Sequence, residues 1–441
     1  MQKIGFIFPS SDYLHDPFRG DPHTHFQILT VLDDRLGNKV DTSLIDLRGI
    51  KRKFAHYVIP EQDVFLHSTY TLDWEEQKEI VEGIRDRYPN AKHIAGGPHT
   101  SCFQKESKQV FDSIILGDGE ESIVQAINDN EKNELQQIYE QQGKIDVKEY
   151  PFPRRHYLPH ATIARKGLVS RRDNKELENL LSTTVIFSRG CTDKCAFCAM
   201  PGIKKYNPGI RFRDPESIEA ELEYLKSDFG IQAVSLLDEI GFPPRFDKAQ
   251  PYIEAIGRTQ IPWKGQCRVD NVTKDVAALL ADSGCEVMCL GVESVYQNSL
   301  DLIKKRIQVE QSKQAIKLLN KQGIETRVYM IIGLPGEDNK VVEKTWDFIK
   351  ETNPASVYLS LFTARPGTDV FNNPQNYGIK NIDSDWSKTM HIYGRYEHER
   401  PRLTFEYEDN PFWGKAMKSE EIVDKYLELQ QKVIDNGYGP V

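Results

Sequence analysis

Short apolar runs alternate with longer polar-apolar stretches along most of this chain, and that alternation restricts it to α/β layouts built on parallel sheets. In the first 130 residues the runs are Ile4–Phe8, Ser43–Leu47, Val64–His67, His93–Ala95 and Ser113–Leu116, with Phe26–Leu36 and Trp74–Tyr88 among the stretches between them. This rhythm predicts an open parallel sheet. Ligands of such sheets sit beyond the carboxyl ends of the strands. There the chain has Pro9-Ser10-Ser11, Ser68-Thr69-Tyr70-Thr71, Gly96-Gly97-Pro98-His99-Thr100 and Gly117-Asp118-Gly119-Glu120-Glu121. Glycines at those places let backbone approach a bulky ligand, and they serve equally as turn punctuation.

Residues 131–180 lose the rhythm. A charged, Gln-rich stretch leads into Tyr150-Pro-Phe-Pro-Arg-Arg-His-Tyr-Leu-Pro159, whose prolines favour an extended path, and the segment reads as a linker. From Thr184 the rhythm returns, with strands predicted at 184–188, 232–237, 264–268, 286–291, 326–332 and 356–362. Helical patterns fall at about 215–227, 273–283, 309–322 and 340–351. This second βα series over residues 181–372 predicts a partial (β/α)6 TIM barrel with its chemistry at the C-terminal ends of the strands. Residues 373–441 read as an extension closing the barrel, with an amphipathic helix at 419–434. The aromatics Trp386, His391, Tyr393, Tyr396, Tyr407 and Trp413 are scattered through it among charges.

A chain of 441 residues has room for two domains and a small third. Its net charge of −9 gives no general reason to expect nucleic acid. The opening run is too short for a signal segment, and no stretch reaches roughly eighteen consecutive apolar residues, so no membrane span is expected. Seven cysteines, an odd number, include three within one short stretch. That distribution points to metal chemistry in a reducing, cytoplasmic compartment and not to a disulfide framework.

The three cysteines lie in Cys191-Thr-Asp-Lys-Cys195-Ala-Phe-Cys198, directly after the apolar run Thr184–Ser188. Spacings of four and three let one loop wrap its sulfurs round a single inorganic centre, and thiolates suit zinc or an iron–sulfur cluster. A structural zinc site would need a fourth ligand, such as His160 or Cys267. A cubane held by three cysteines instead leaves one iron open to a substrate. With aromatic Phe197 before its last cysteine, the triad resembles the cluster loop of radical S-adenosylmethionine enzymes. The remaining cysteines, Cys102, Cys267, Cys285 and Cys289, read as small apolar residues.

The resemblance implies a [4Fe–4S] cluster on Cys191, Cys195 and Cys198, and S-adenosylmethionine held on the strand ends. It places the amine of S-adenosylmethionine near Asp238 and Glu239, the carboxylate and ribose near Arg268, Glu293 and Ser294, and adenine against Phe197 and Ile331-Ile332-Gly333. Leu236-Leu237-Asp238-Glu239 departs from the family's common Gly-Gly-Glu form at the second strand. The loops Gly96-Gly97-Pro98-His99 and Gly117-Asp118-Gly119-Glu120 are similar to those of the Rossmann-like (flavodoxin-like) cobalamin-binding domain that precedes many such enzymes. The likeness covers roughly residues 1–130, and with it Ser68 and Thr69 become cobalamin contacts. The Asp-x-His-x-x-Gly lower-ligand motif is not present: Asp21-Pro-His23 begins it, but Phe26 stands where glycine is required. His23 and His25 therefore read as surface or capping residues, and the cobalt's lower face as unligated by histidine.

The activity implied is that of a cobalamin-dependent methyltransferase acting on an unactivated carbon of a small-molecule or peptide substrate, with flavodoxin or ferredoxin as electron donor. Cyclisation or rearrangement with the same cofactors is the alternative within enzymes. A cluster-bearing sensor is the alternative outside them. Methylthiotransferases of tRNA share the barrel but carry further cluster cysteines in their first domain, whereas here only Cys102 precedes Cys191.

Overall fold

The computed structural model describes residues 1–12, 14, 16–18, 20–141, 143, 145–199, 209–383, 400–409 and 414–440. The chain divides into two compact units, Met1–Ile163 and the described residues from Ala164 onward.

The first unit is built on strands β1 (Gln2–Phe8), β2 (Val40–Asp46), β3 (Val64–Ser68), β4 (Lys92–Gly96), β5 (Ser113–Leu116) and β6 (Ile138–Glu140). Their order is β2-β1-β3-β4-β5-β6, and every neighbouring pair is parallel. This is the flavodoxin-like layout the rhythm and the resemblance predicted, with a topological switch point between β1 and β3. Because side chains alternate along a strand, Ile4 and Phe6 join Leu29, Leu32 and Ile123 in one core layer, while Ile7, Phe65, Ile80 and Ile84 form the opposite one. Each such buried side chain contributes about 1.5–3 kcal/mol.

The unit continues past the expected boundary at 130. β6 completes its sheet, and Ile145, Val147 and Tyr150 pack with Val31 of the helix His23–Leu36. His25 is a second correction. It is buried between the rings of Phe6 and Phe8 and hydrogen-bonds through Nε2 to the Ile7 carbonyl at 2.9 Å, so it belongs to the core and not to the surface.

The second unit carries β7 (Ser182–Val185), the short antiparallel pair β8 (Ser188–Arg189) and β9 (Arg211–Phe212), then β10 (Ala233–Leu236), β11 (Trp263–Arg268), β12 (Cys285–Glu293), β13 (Glu325–Ile332) and β14 (Ser356–Leu361). The main sheet runs β14-β13-β12-β11-β10-β7, all parallel, as a partial barrel of six strands. Helices Pro215–Phe229, Lys274–Asp282, Val309–Lys321 and Val341–Thr352 lie where the periodicity put them. Local chemistry sets their ends: the Thr273 hydroxyl accepts from the Val276 amide at 3.2 Å, and Gly230 closes Pro215–Phe229 at a φ of 65°. A further helix, Phe246–Arg258, has Pro251 inside it and was not expected.

Residues 164–173, expected within the linker, belong to this unit and cross the N-terminal ends of its strands. Lys264 Nζ donates to the Leu168 carbonyl at 2.5 Å, Glu325 Oε2 accepts from the Arg172 amide at 2.7 Å, and Arg327 donates to the Ser170 carbonyl. The helix Ser419–Asp435 buries Ile422, Tyr426 and Leu429 against β14, β13 and the helix Val341–Thr352. Trp386, His391, Tyr393, Tyr396 and Trp413 lie outside the described residues. Among the described residues no helix is long and apolar enough to cross a membrane.

Candidate functional site

The cysteine loop leaves β8 at the C-terminal end of the barrel's first strand, with Cys195 buried and Cys191 and Cys198 half-buried, all three as free thiols. Backbone bonds pin it from two sides: the Ala196 amide donates to Ile303 O at 2.7 Å, and Ala196 O accepts from the Val370 amide at 3.1 Å. Two N–H groups point at sulfur, the Asp193 amide at Cys191 Sγ (3.4 Å) and Arg268 Nη1 at Cys195 Sγ (3.9 Å). Burial pushes both thiols up, and for Cys195 the nearby Lys305 and Arg268 oppose that push. Three thiol donors on one loop, with N–H groups aimed at their sulfurs, fit a thiolate-ligated cluster. Cys267, considered as a fourth zinc ligand, neighbours Arg268 along β11 and therefore faces the opposite side of the sheet from the residue that meets Cys195.

The strand ends are more heavily paired than their sequence suggested. Asp238, at the end of β10, turns inward: its Oδ1 accepts from the Phe187 amide at 3.0 Å and from Ser188 Oγ at 2.5 Å. Its Oδ2 is buried with no hydrogen-bond partner among the described residues, and burial raises the Asp238 pKa to about 7. Glu239 beside it is exposed. Arg268 pairs with Asp270 at 2.9 Å and Asp193 at 3.3 Å, and Asp193 also takes Arg306 at 2.7 Å. Glu293 binds Lys305 at 2.7 Å. That ion pair requires Gly291, because a Cβ there would lie 2.7 Å from Glu293 Oε1 and 3.0 Å from Lys305 Nζ.

Ser294 Oγ donates to Glu337 Oε1 at 2.8 Å, while Glu337 Oε2 accepts from the Gly333 and Leu334 amides at 2.9 and 3.3 Å. Burial lifts the Glu337 carboxyl to about 7. The Gly333 carbonyl accepts from Tyr407 Oη at 2.9 Å, so both backbone polar groups of Gly333 have partners. Arg268, Glu293, Ser294 and Gly333, expected as S-adenosylmethionine contacts, are thus each committed to a protein partner. Glu239, half-buried Phe197 and half-buried Ile331 stand beside them, with Ile332 buried. Lys305 and Asp193 were missed because their partners Glu293 and Arg268 lie on other elements, whereas Asp270 pairs with Arg268 only two residues before it.

In the first unit the expected cobalamin contacts gather at the carboxyl ends of adjacent strands β3, β4 and β5. Thr69 acts as a clamp between loops. Its amide and hydroxyl both donate to the Gly96 carbonyl at 2.9 Å, and its carbonyl accepts from the His99 amide at 3.1 Å. Gly97, at a φ of 100°, permits this approach: a Cβ would sit 2.8 Å from the Thr69 nitrogen and oxygen. Ser68 and Glu120 are buried, Gly117 turns at a φ of 95°, and Pro98 opens the short helix Pro98–Cys102. Ser10, at the switch point, is buried, and its amide donates to Glu76 Oε1 at 2.7 Å. His99 stacks on Trp74 at 4.2 Å, and His67 bonds His93 at 3.1 Å and Gln77 at 2.9 Å. Burial lowers His99 and His67 to about 4 and His93 to about 2, which keeps all three neutral near pH 7.

A family model described as the radical SAM superfamily matches residues 185–349. An uncharacterized methyltransferase of Pyrococcus horikoshii is 26% identical over 373 residues, covering 79% of this chain and 75% of that protein. The bacteriochlorophyllide d C-12(1)-methyltransferase of Chlorobaculum tepidum is 24% identical over 410 residues, covering 92% and 78%. Among solved structures, the radical S-adenosylmethionine methyltransferase TsrM from Kitasatospora setae with cobalamin and [4Fe-4S] cluster bound superposes with a TM-score of 0.71 at 16% identity, over 100% of this chain and 93% of that one.

Proposed function

Since residues 185–349 belong to the radical SAM superfamily, we propose that the chain is a cobalamin-dependent radical S-adenosylmethionine methyltransferase acting on a small-molecule or peptide substrate. The observation that carries the reading is the three-thiol loop at the end of the barrel's first strand, with N–H groups aimed at Cys191 and Cys195. Methyltransferase relatives aligned across both units support it. Cys191, Cys195 and Cys198 hold the cluster, and the strand-end loops of the first unit hold cobalamin. When bound, these groups supply an electron that cleaves S-adenosylmethionine to a 5′-deoxyadenosyl radical, and a transferable methyl group.

The chain's own residues bind and orient. Glu239 is the open carboxylate at the end of β10 and takes the amine, because Asp238 is turned into the protein. Phe197 and Ile331 offer apolar surface to adenine. The Lys305–Glu293 and Arg268–Asp270 pairs fix the walls, so that ligand binding need not reorganise them. Neutral, buried His25, His67 and His93 belong to the core of the first unit, in keeping with a cobalt whose lower face has no histidine. A reduced flavodoxin or ferredoxin is the electron donor.

Iron, sulfide and cobalt analysis of the anaerobically rebuilt protein tests this reading, together with S-adenosylmethionine cleavage under strong reductant. Roughly four irons per chain and formation of 5′-deoxyadenosine are expected, with cleavage lost in Cys195→Ala. Retained cleavage in a folded Cys195→Ala protein would refute the ligand assignment.

A further inference from the structure

Arg268 makes an unusual set of contacts for a strand-end cation. Its Nε donates to Asp270 Oδ1 at 2.9 Å and meets Asp193 Oδ2 at 3.3 Å. Nη2 donates to Asp270 Oδ2 at 2.9 Å and to the Lys305 carbonyl at 3.0 Å. The guanidinium is planar, so these bonds fix its orientation and leave Nη1 directed at Cys195 Sγ, 3.9 Å away. Asp193, which helps to hold it, sends its own amide to Cys191 Sγ at 3.4 Å and is anchored on its other oxygen by Arg306 at 2.7 Å. Arg268 is buried and the Asp193 side chain is largely shielded from solvent, where charges act strongly on one another, while Asp270 and Arg306 reach the surface.

We infer that Arg268 is a positioning residue that sets the reduction potential of the centre held by the cysteine triad, acting through Cys195, and that Asp270 moderates it as counter-charge. The inference rests on the cluster reading above and adds to it a tuning device on β11. Accepting one electron makes a thiolate-ligated centre more negative. An N–H donated to a ligating sulfur and a fixed positive charge beside it both favour the reduced state. The Asp270 carboxylate, bound to the same guanidinium, acts in the opposite sense. The two residues therefore make predictions of opposite sign.

The full-length wild type, Arg268→Gln, Arg268→Lys and Asp270→Asn are rebuilt anaerobically and titrated with graded reductant. The reduced cluster is read by electron paramagnetic resonance without S-adenosylmethionine. Iron and sulfide content is measured first, and a wild-type protein that takes up no cluster removes the underlying reading regardless of any potential. At equal iron content, the reduced-to-oxidised ratio of Arg268→Gln at a fixed potential should fall about tenfold, equivalent to 59 mV for a one-electron couple. Arg268→Lys, which keeps the charge, should fall between it and the wild type, and Asp270→Asn should move the ratio upward. General loosening of the loop would move Arg268→Gln and Asp270→Asn the same way. Such a common shift, or unchanged midpoints in variants with full iron content, overturns the inference, and Arg268→Lys with Asp270→Asn still decides it if Arg268→Gln fails to fold.

Discussion

Replacing Asp238 by Asn should change how stability depends on pH, and the structure gives the sign. Burial raises the Asp238 carboxyl from its ordinary 3.8 to about 7, against the opposing bonds from Ser188 and Phe187. Below the ordinary value both native and unfolded chains hold the proton. Between there and about pH 7 the unfolded chain releases it while the native chain keeps it, so stability falls as pH rises, and above about pH 7 this contribution is flat. Each pH unit in the window is worth about 1.36 kcal/mol, which makes the loss from about pH 5 to about pH 7 at most roughly 3 kcal/mol. Asn keeps an oxygen for the Phe187 amide and the Ser188 hydroxyl and cannot ionise. Urea midpoints of metal-free wild type and Asp238→Asn, taken from about pH 5 to about pH 8, should show the variant gaining on the wild type up to about pH 7 and then holding level. Other titrating groups cancel in that difference. A difference flat within about 0.5 kcal/mol would mean that the two donors on Oδ1 outweigh burial and keep the carboxylate ionised.

Gly97→Ala forces a side chain into the left-handed region and against Thr69 backbone, at a cost of about 2–4 kcal/mol. Hydrogen exchange at the Thr69 and His99 amides should accelerate roughly a hundredfold, and unchanged protection would show that the clamp does not need glycine. Gly333→Ala puts a Cβ 2.7 Å from Ile422 Cγ2 at a φ of 91°, so thermal stability should drop. In a double-mutant cycle with Ile422→Ala the two costs should sum to about 1 kcal/mol more than the double variant shows, and strict additivity would place the strain elsewhere.

The parallel strands were legible because both faces of each are covered, which writes them as apolar runs; β12 and β13 are the clearest instances. β6 was hidden by its brevity within a charged stretch, and the helix Phe246–Arg258 by Pro251 and Gly257. β2 begins at Val40, earlier than expected, because it is an edge strand and carries Asp41 and Thr42. In the site, the cysteine triad was readable because its donors lie within one loop. Arg268 with Asp193, Glu293 with Lys305 and Ser294 with Glu337 pair across different strands and loops. Sequence marked those residues as polar strand ends without showing that each already had a protein partner.

By-product stoichiometry with labelled methyl distinguishes methyl transfer from the other reactions these cofactors support. The rebuilt full-length protein receives methyl-deuterated S-adenosylmethionine, a strong reductant and candidate small molecules or peptides, and products are weighed by mass spectrometry. A methyltransferase yields a substrate heavier by one labelled methyl group, with S-adenosylhomocysteine and 5′-deoxyadenosine formed in matched amounts. Product accompanied by 5′-deoxyadenosine, with no S-adenosylhomocysteine and no label, would contradict methyl transfer and show a cyclisation or rearrangement on the same cofactors.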